Sequence, residues 1–104
     1  KKYFFNAKQY YKTKKYKSAI IALKNFQIEF PGSSFDEESY YLIISSQYLI
    51  AKSSFESLQK DRYKKVTDFY IQFIDKYPKS TFIKEAEKMY IESLNFLGTF
   101  AENK

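Results

Sequence analysis

The sequence predicts an all-α protein, a solenoid of about five antiparallel helices, and three observations predict it. A framework occurs twice: Tyr16, Ala19, Leu23, Phe26, Phe30, Pro31, Ser33 and Phe35 return 47 positions later as Tyr63, Val66, Tyr70, Phe73, Tyr77, Pro78, Ser80 and Phe82. Within each copy Ala19, Leu23, Phe26 and Phe30, like Val66, Tyr70, Phe73 and Tyr77, fall at the spacing that lines one face of an α-helix. The chain of 104 residues holds only two glycines and two prolines, which disfavours hairpins and glycine-rich loops. A unit repeated at a fixed period of a few tens of residues buries its apolar face only against its neighbours, as in α-solenoids.

The first helix is expected over about Tyr3 to Thr13, with Tyr3, Ala7 and Tyr10 on one side and Lys1, Lys8, Lys12 and Lys15 on another. A tight turn at Lys14 and Lys15 leads to a second helix from Tyr16 to Glu29. Pro31 ends it, because the residue before a proline is pushed out of the helical region. Ser34-Phe35-Asp36-Glu37 has the pattern of a capping box, and Asp36, Glu37 and Glu38 sit where first-turn acids favour the helix dipole. The third helix starts near Phe35 and is apolar nearly all round. Tyr41, Ile44, Tyr48 and Phe55 form one stripe, with Leu42, Ile43, Leu49 and Ile50 close by, so this helix is sandwiched. Ser39, Ser46 and Ser53 recur on one narrow side, which is expected to serve close helix approach rather than form a ligand-facing strip. Ser53 to Lys60 has no strong breaker and is expected to be the end of a long helix, then a short turn. The fourth helix spans about Arg62 to Lys76. The fifth runs from Phe82 to Gly98, keeps Phe82, Ala86, Met89, Tyr90 and Leu97 on one face, and resembles a terminal cap. One domain over 1–104 follows, with repeat 1 at about 2–31, an extended repeat 2 at about 34–78 and a cap at about 82–97.

Aromatic residues make up 21% of the chain and all are Tyr or Phe, so the core is built from rings, each worth about 2 kcal/mol when fully buried. The net charge of +6 is local: residues 1–24 hold eight lysines and no acid, and the remainder is slightly acidic. Only Arg62 supplies a guanidinium, the fork that grips phosphates and reads guanine, so no specific nucleic-acid binding is expected. The absence of histidine and cysteine removes the commonest general bases, nucleophiles and zinc ligands; no enzyme activity, cofactor or metal is expected. The most apolar run, Tyr40 to Ala51, contains Ser45, Ser46 and Gln47 and is well short of the roughly 20 residues of a membrane span. The chain opens without methionine or signal peptide, inside a helix, as a piece of a longer protein would.

These residues resemble the tetratricopeptide repeat, W-x2-L-G-x2-Y followed by A-x3-F and Pro over about 34 positions. Tyr3, Ala7 and Tyr10 stand at the W, G and Y positions, and Ala19, Leu23 and Pro31 at A, F and P. In the third helix Tyr41, Ile44, Ser45 and Tyr48 fit W, L, G and Y. Asn6 and Phe26 depart from the pattern, as do Lys88, Ile91, Glu92 and Asn95 in the last helix. The offset of 47 exceeds the usual period, so extra residues should lengthen the third helix or its turn. The tails Phe26 to Ile43 and Phe73 to Glu87, each with an aromatic-Pro-x-Ser turn, resemble the BamD family of outer-membrane β-barrel assembly lipoproteins over nearly the whole chain.

The BamD resemblance implies a non-catalytic scaffold at the periplasmic face of the bacterial outer membrane, docking on POTRA domains of a BamA-type barrel protein or on other subunits of the machinery. The repeat resemblance alone also allows a free adaptor that captures short acidic or C-terminal peptides. In such repeats the groove is lined by first-helix positions, here Phe4, Lys8, Tyr11, Lys12, Ser39, Leu42, Ser46 and Leu49. The lysines suit a carboxylate and the leucines a larger apolar partner.

Overall fold

The computed structural model describes residues 2–102, with side chains described to residue 98; Lys1 lies outside that range. Five helices follow one another, α1 (Lys2–Lys12), α2 (Tyr16–Glu29), α3 (Asp36–Lys52), α4 (Glu56–Lys76) and α5 (Ile83–Glu102). No strand occurs among the described residues, so the all-α expectation holds. Each helix packs on its neighbour in sequence, and α3 also touches α1 and α5. Thus α1, α3 and α5 make one layer and α2 and α4 the other. The molecule measures 46 × 28 × 19 Å, its shortest dimension being two helix diameters.

The core has two halves joined through α3. Phe4 and Ala7 of α1 meet Ala19, Leu23 and Phe26 of α2 and Leu42 and Ile43 of α3. On the other side Ile44 and Ala51 meet Tyr63, Val66, Tyr70 and Phe73 of α4 and Ala86 of α5. Helix α3 is therefore sandwiched, as its all-round apolar pattern requires. Ser39 and Ser46 are fully buried, which allows the close helix approach expected of them, whereas Ser53 is exposed.

The buried face of α1 differs by one residue from expectation. Phe4 is buried and stacks on Phe35 at 4.7 Å, as Tyr41 stacks on Phe82 at 5.0 Å. Because Phe35 and Phe82 are equivalent, Phe4 rather than Tyr3 is the counterpart of Tyr41. By the same step Ala7 matches Ile44 and Tyr11 matches Tyr48. Tyr3 and Tyr10 stand 63% and 42% exposed on the opposite flank. The Tyr3-Phe4-Phe5 and Tyr10-Tyr11 runs offer an aromatic in either register. Contacts with α3 select one.

The turns from α1 to α2 and from α3 to α4, the A-to-B turns of the two repeats, are each three residues long, 13–15 and 53–55. Helix α1 stops one residue after Tyr11 and α3 four after Tyr48, while α2 begins at Tyr16 and α4 begins at Glu56, seven before Tyr63. The insertion therefore lies mostly in α4, whose start precedes the expected Arg62, and the turn is not lengthened. This break needs no Gly or Pro because side chains close it. Ser53 and Ser54 hydroxyls donate back to the Leu49 and Ile50 carbonyls, and Gln59 Nε2 donates to the Ala51 carbonyl at 3.1 Å. At the first turn Lys14 takes φ 65°, with Lys14 N–H to Tyr11 O at 3.1 Å and Lys15 N–H to Tyr10 O at 2.9 Å. That is a Schellman closure with lysine where glycine is usual.

The capping box at Ser34 does not form. Helix α3 starts after Phe35 without a side-chain cap, and Ser33 Oγ accepts from Phe35 N–H at 3.1 Å. Ser80 repeats this with Phe82 N–H at 3.1 Å. The hydroxyls brace the Pro turns two residues ahead, an arrangement Ser and Thr favour outside helices. Gly98 does not stop α5, which continues to Glu102.

Candidate partner-docking surface

The eight residues expected to line a groove separate into two groups. Phe4, Ser39, Leu42 and Ser46 are enclosed within helix interfaces and cannot meet a partner directly. Phe4 and Leu42 belong to the first half of the core. Ser39 Oγ donates to Asp36 O at 2.6 Å and accepts from Gln27 Nε2 at 2.8 Å, tying α3 to α2. Ser46 Oγ is buried without a hydrogen-bond partner among the described residues. The reachable group is Lys8, Tyr11 and Leu49, which are half-buried, and Lys12, which is exposed.

Two of these side chains, Tyr11 and Lys8, are held where α1 runs beside α3. Tyr11 and Ser45 hydroxyls share a hydrogen bond of 2.7 Å, and Lys8 Nζ meets Glu38 Oε2 at 2.8 Å. Lys8 is thus already neutralised within the chain. Lys12 forms no ion pair among the described residues and is the free cation of the set.

The three acids at the start of α3 act as ties. Asp36 is 1% exposed; its Oδ2 receives Lys76 Nζ at 2.9 Å and the Tyr77 hydroxyl, joining the start of α3 to the end of α4. Burial, then the bond to Asp36, pushes the Tyr77 phenol up to about 12, and the same carboxylate raises Lys76 above its ordinary value. Glu37 accepts from the Ser80 hydroxyl and Glu38 from Lys8. Farther along α3, Tyr48 donates to Glu92 of α5, and burial followed by that bond pushes its phenol up to about 12.

A second open surface lies on the other flank of α1 and α2. Tyr3, Asn6, Tyr10, Asn25, Ile28 and Phe30 line a groove of about 660 Å³. The sequence pattern does not reveal it, because its spacing puts Tyr3 and Tyr10 on the packed side. Its nature follows from the repeat: the corresponding flank of α3 and α4 is covered by α2, with Ile43 in the first half of the core and Lys24 Nζ 4.7 Å from the Phe69 ring centre. The groove therefore has the form of a helix-stacking side.

No cluster of metal-ligating residues occurs among the described residues, and no described helix is long and apolar enough to cross a membrane. The exposed surfaces present rings, amides and lysines. Comparison with curated proteins gives no match. A family model described as outer membrane lipoprotein matches residues 4–99, from the first core residue of α1 into α5. Because that match takes in both Pro turns and every helix, the chain belongs to the YfiO family of outer membrane lipoproteins, the BamD family whose turns its own resemble.

Proposed function

We propose that the chain is a non-catalytic scaffold of the outer-membrane β-barrel assembly machinery, working at the periplasmic face of the membrane. Its α1–α3 side receives an acidic segment of a partner subunit, with the POTRA domains of a BamA-type barrel protein as the partner to test. The observation that supports this is the free Lys12 at the end of α1, on the layer that also holds Leu49, beside an internally paired Lys8 and a fixed Tyr11. One unpaired cation with apolar area on a rigid frame favours a carboxylate-bearing protein surface at small entropic cost.

The test is capture of purified POTRA domains by the wild-type chain and by a Lys12→Glu/Leu49→Asp variant. Lys8→Glu is avoided because it would set two glutamates against each other at Glu38. Loss of roughly tenfold in affinity, about 1.4 kcal/mol, is expected for the double variant. Equal capture by both proteins would remove this face from the interface. Binding of free acidic peptides as tight as binding of POTRA domains would make the chain an adaptor instead.

A further inference from the structure

Beyond the scaffold reading, we infer that the edge formed by the two A-to-B turns is a docking surface for an anionic lipid membrane. The turns at 13–15 and 53–55 lie side by side, and Lys14, Lys17 and Arg62 line a shallow pocket of about 280 Å³ with Ile50 and Phe55. No acid lines it, and Arg62 is held in place by its Nη1 bond to Ser54 Oγ at 2.6 Å. Lys12, Lys15 and Lys52 flank the same turns, and none of these six cations forms an ion pair among the described residues. Glu56 and Asp61 are the acids of the adjoining α4 turns. At the opposite ends of the helices acids are mixed among the lysines, and Asp36 pairs with Lys76 and Glu38 with Lys8.

Two further features point to lipid. Phe55 is 82% exposed at the tip of its turn, with Leu58 40% exposed one turn along. Such an exposed ring among lysines can enter the boundary between headgroups and acyl chains. Lysines are mobile point charges that suit a fluid array of phosphates, and only Arg62 offers a fixed fork. Lys14 also stands in the left-handed region that glycine occupies freely, so the turn presents a cation at a conformational cost. In a family of outer membrane lipoproteins such a surface is close by, and a weak contact suffices to orient the solenoid on it.

The experiment is co-sedimentation of the chain with vesicles of phosphatidylglycerol and phosphatidylethanolamine, and with vesicles of phosphatidylcholine alone. The wild-type chain should bind only the anionic vesicles and release them at about 0.5 M salt, where the Debye length falls to a few ångströms. Each neutralised cation should weaken binding about fivefold, so Lys14→Gly/Lys17→Gln should lose roughly 25-fold. Phe55→Ser should weaken it severalfold without altering the salt dependence. Lys14→Gly relieves the backbone, so a melting curve no lower than wild type separates lost binding from lost folding. Capture of POTRA domains by these variants should be unchanged, which keeps this inference distinct from the scaffold reading. Absence of wild-type binding to anionic vesicles, equal binding to neutral ones, or full binding by the variants would overturn it. Loss of an acidic protein partner with the same substitutions, and no lipid effect, would assign the edge to protein and likewise overturn it.

Discussion

Asp36→Asn preserves side-chain volume while removing the charge that ties α3 to α4. The carboxylate is 1% exposed, and its Oδ2 takes both Lys76 Nζ and the Tyr77 hydroxyl. Asparagine still accepts from Tyr77, so the loss is the ionic part. Lys76 is half exposed and recovers solvation, which holds that pair to about 0.5–1 kcal/mol, and the lost first-turn anion adds about 0.3–1 kcal/mol. The expected destabilisation is about 1–2 kcal/mol, a drop of roughly 5–15 °C in melting temperature for a domain of this size. Lys76→Met should cost at least as much, because it strands a buried carboxylate, and the double variant should recover part of that loss. Circular dichroism melts and urea titrations of the four proteins close the cycle. Additivity within about 0.3 kcal/mol would show that Asp36 and Lys76 do not act together and would refute the tie.

Leu23→Ala and Tyr70→Ala, at equivalent positions of the repeated framework, should each cost about 2–5 kcal/mol in a urea titration, Tyr70 also losing its stack on Tyr90 at 4.3 Å; a neutral result for either would break the repeat alignment. Tyr48 and Tyr77 titrate near 12 when folded, above the ordinary 10.0, and Lys76 is raised too, so their contribution is full below pH 10 and fades as pH climbs from 10 to 12. The melting temperature should fall steeply across that interval, and Tyr48→Phe/Tyr77→Phe should fall less. Lys14→Gly should raise stability by about 0.5–1 kcal/mol, since glycine holds φ 65° freely; a lower melting temperature would mean that the turn is closed in another way.

The strongest sequence signals were those that act over a few residues. Pro31 and Pro78 end α2 and α4 because the effect of proline on its predecessor is local, and α3 could be recognised as sandwiched because no polar face exists along it. The end of α3 was placed too late for an equally physical reason. Its last carbonyls are satisfied by Ser53, Ser54 and Gln59, the last reaching back from α4, and a cap supplied from the next helix leaves no punctuation at the break itself.

The candidate docking surface was harder to see because it depends on a choice of register. In α1 a one-residue rotation exchanges Tyr3 and Tyr10 for Phe4 and Tyr11, and both sets satisfy the same apolar spacing. The choice is made by partners 30 and 34 positions away, Glu38 for Lys8 and Ser45 for Tyr11. Rotating α1 the other way would unpair Glu38 and leave Phe35 without the ring that covers it. The same contacts that bury Phe4 therefore expose Tyr3 and Tyr10 on the stacking flank and remove Lys8 from the free cations, while Lys12 stays exposed and unpaired among the described residues. Core register and surface charge are thus a single decision in this helix, so a substitution that loosens the Phe4 and Phe35 stack should alter the binding proposed for Lys12 without touching that residue.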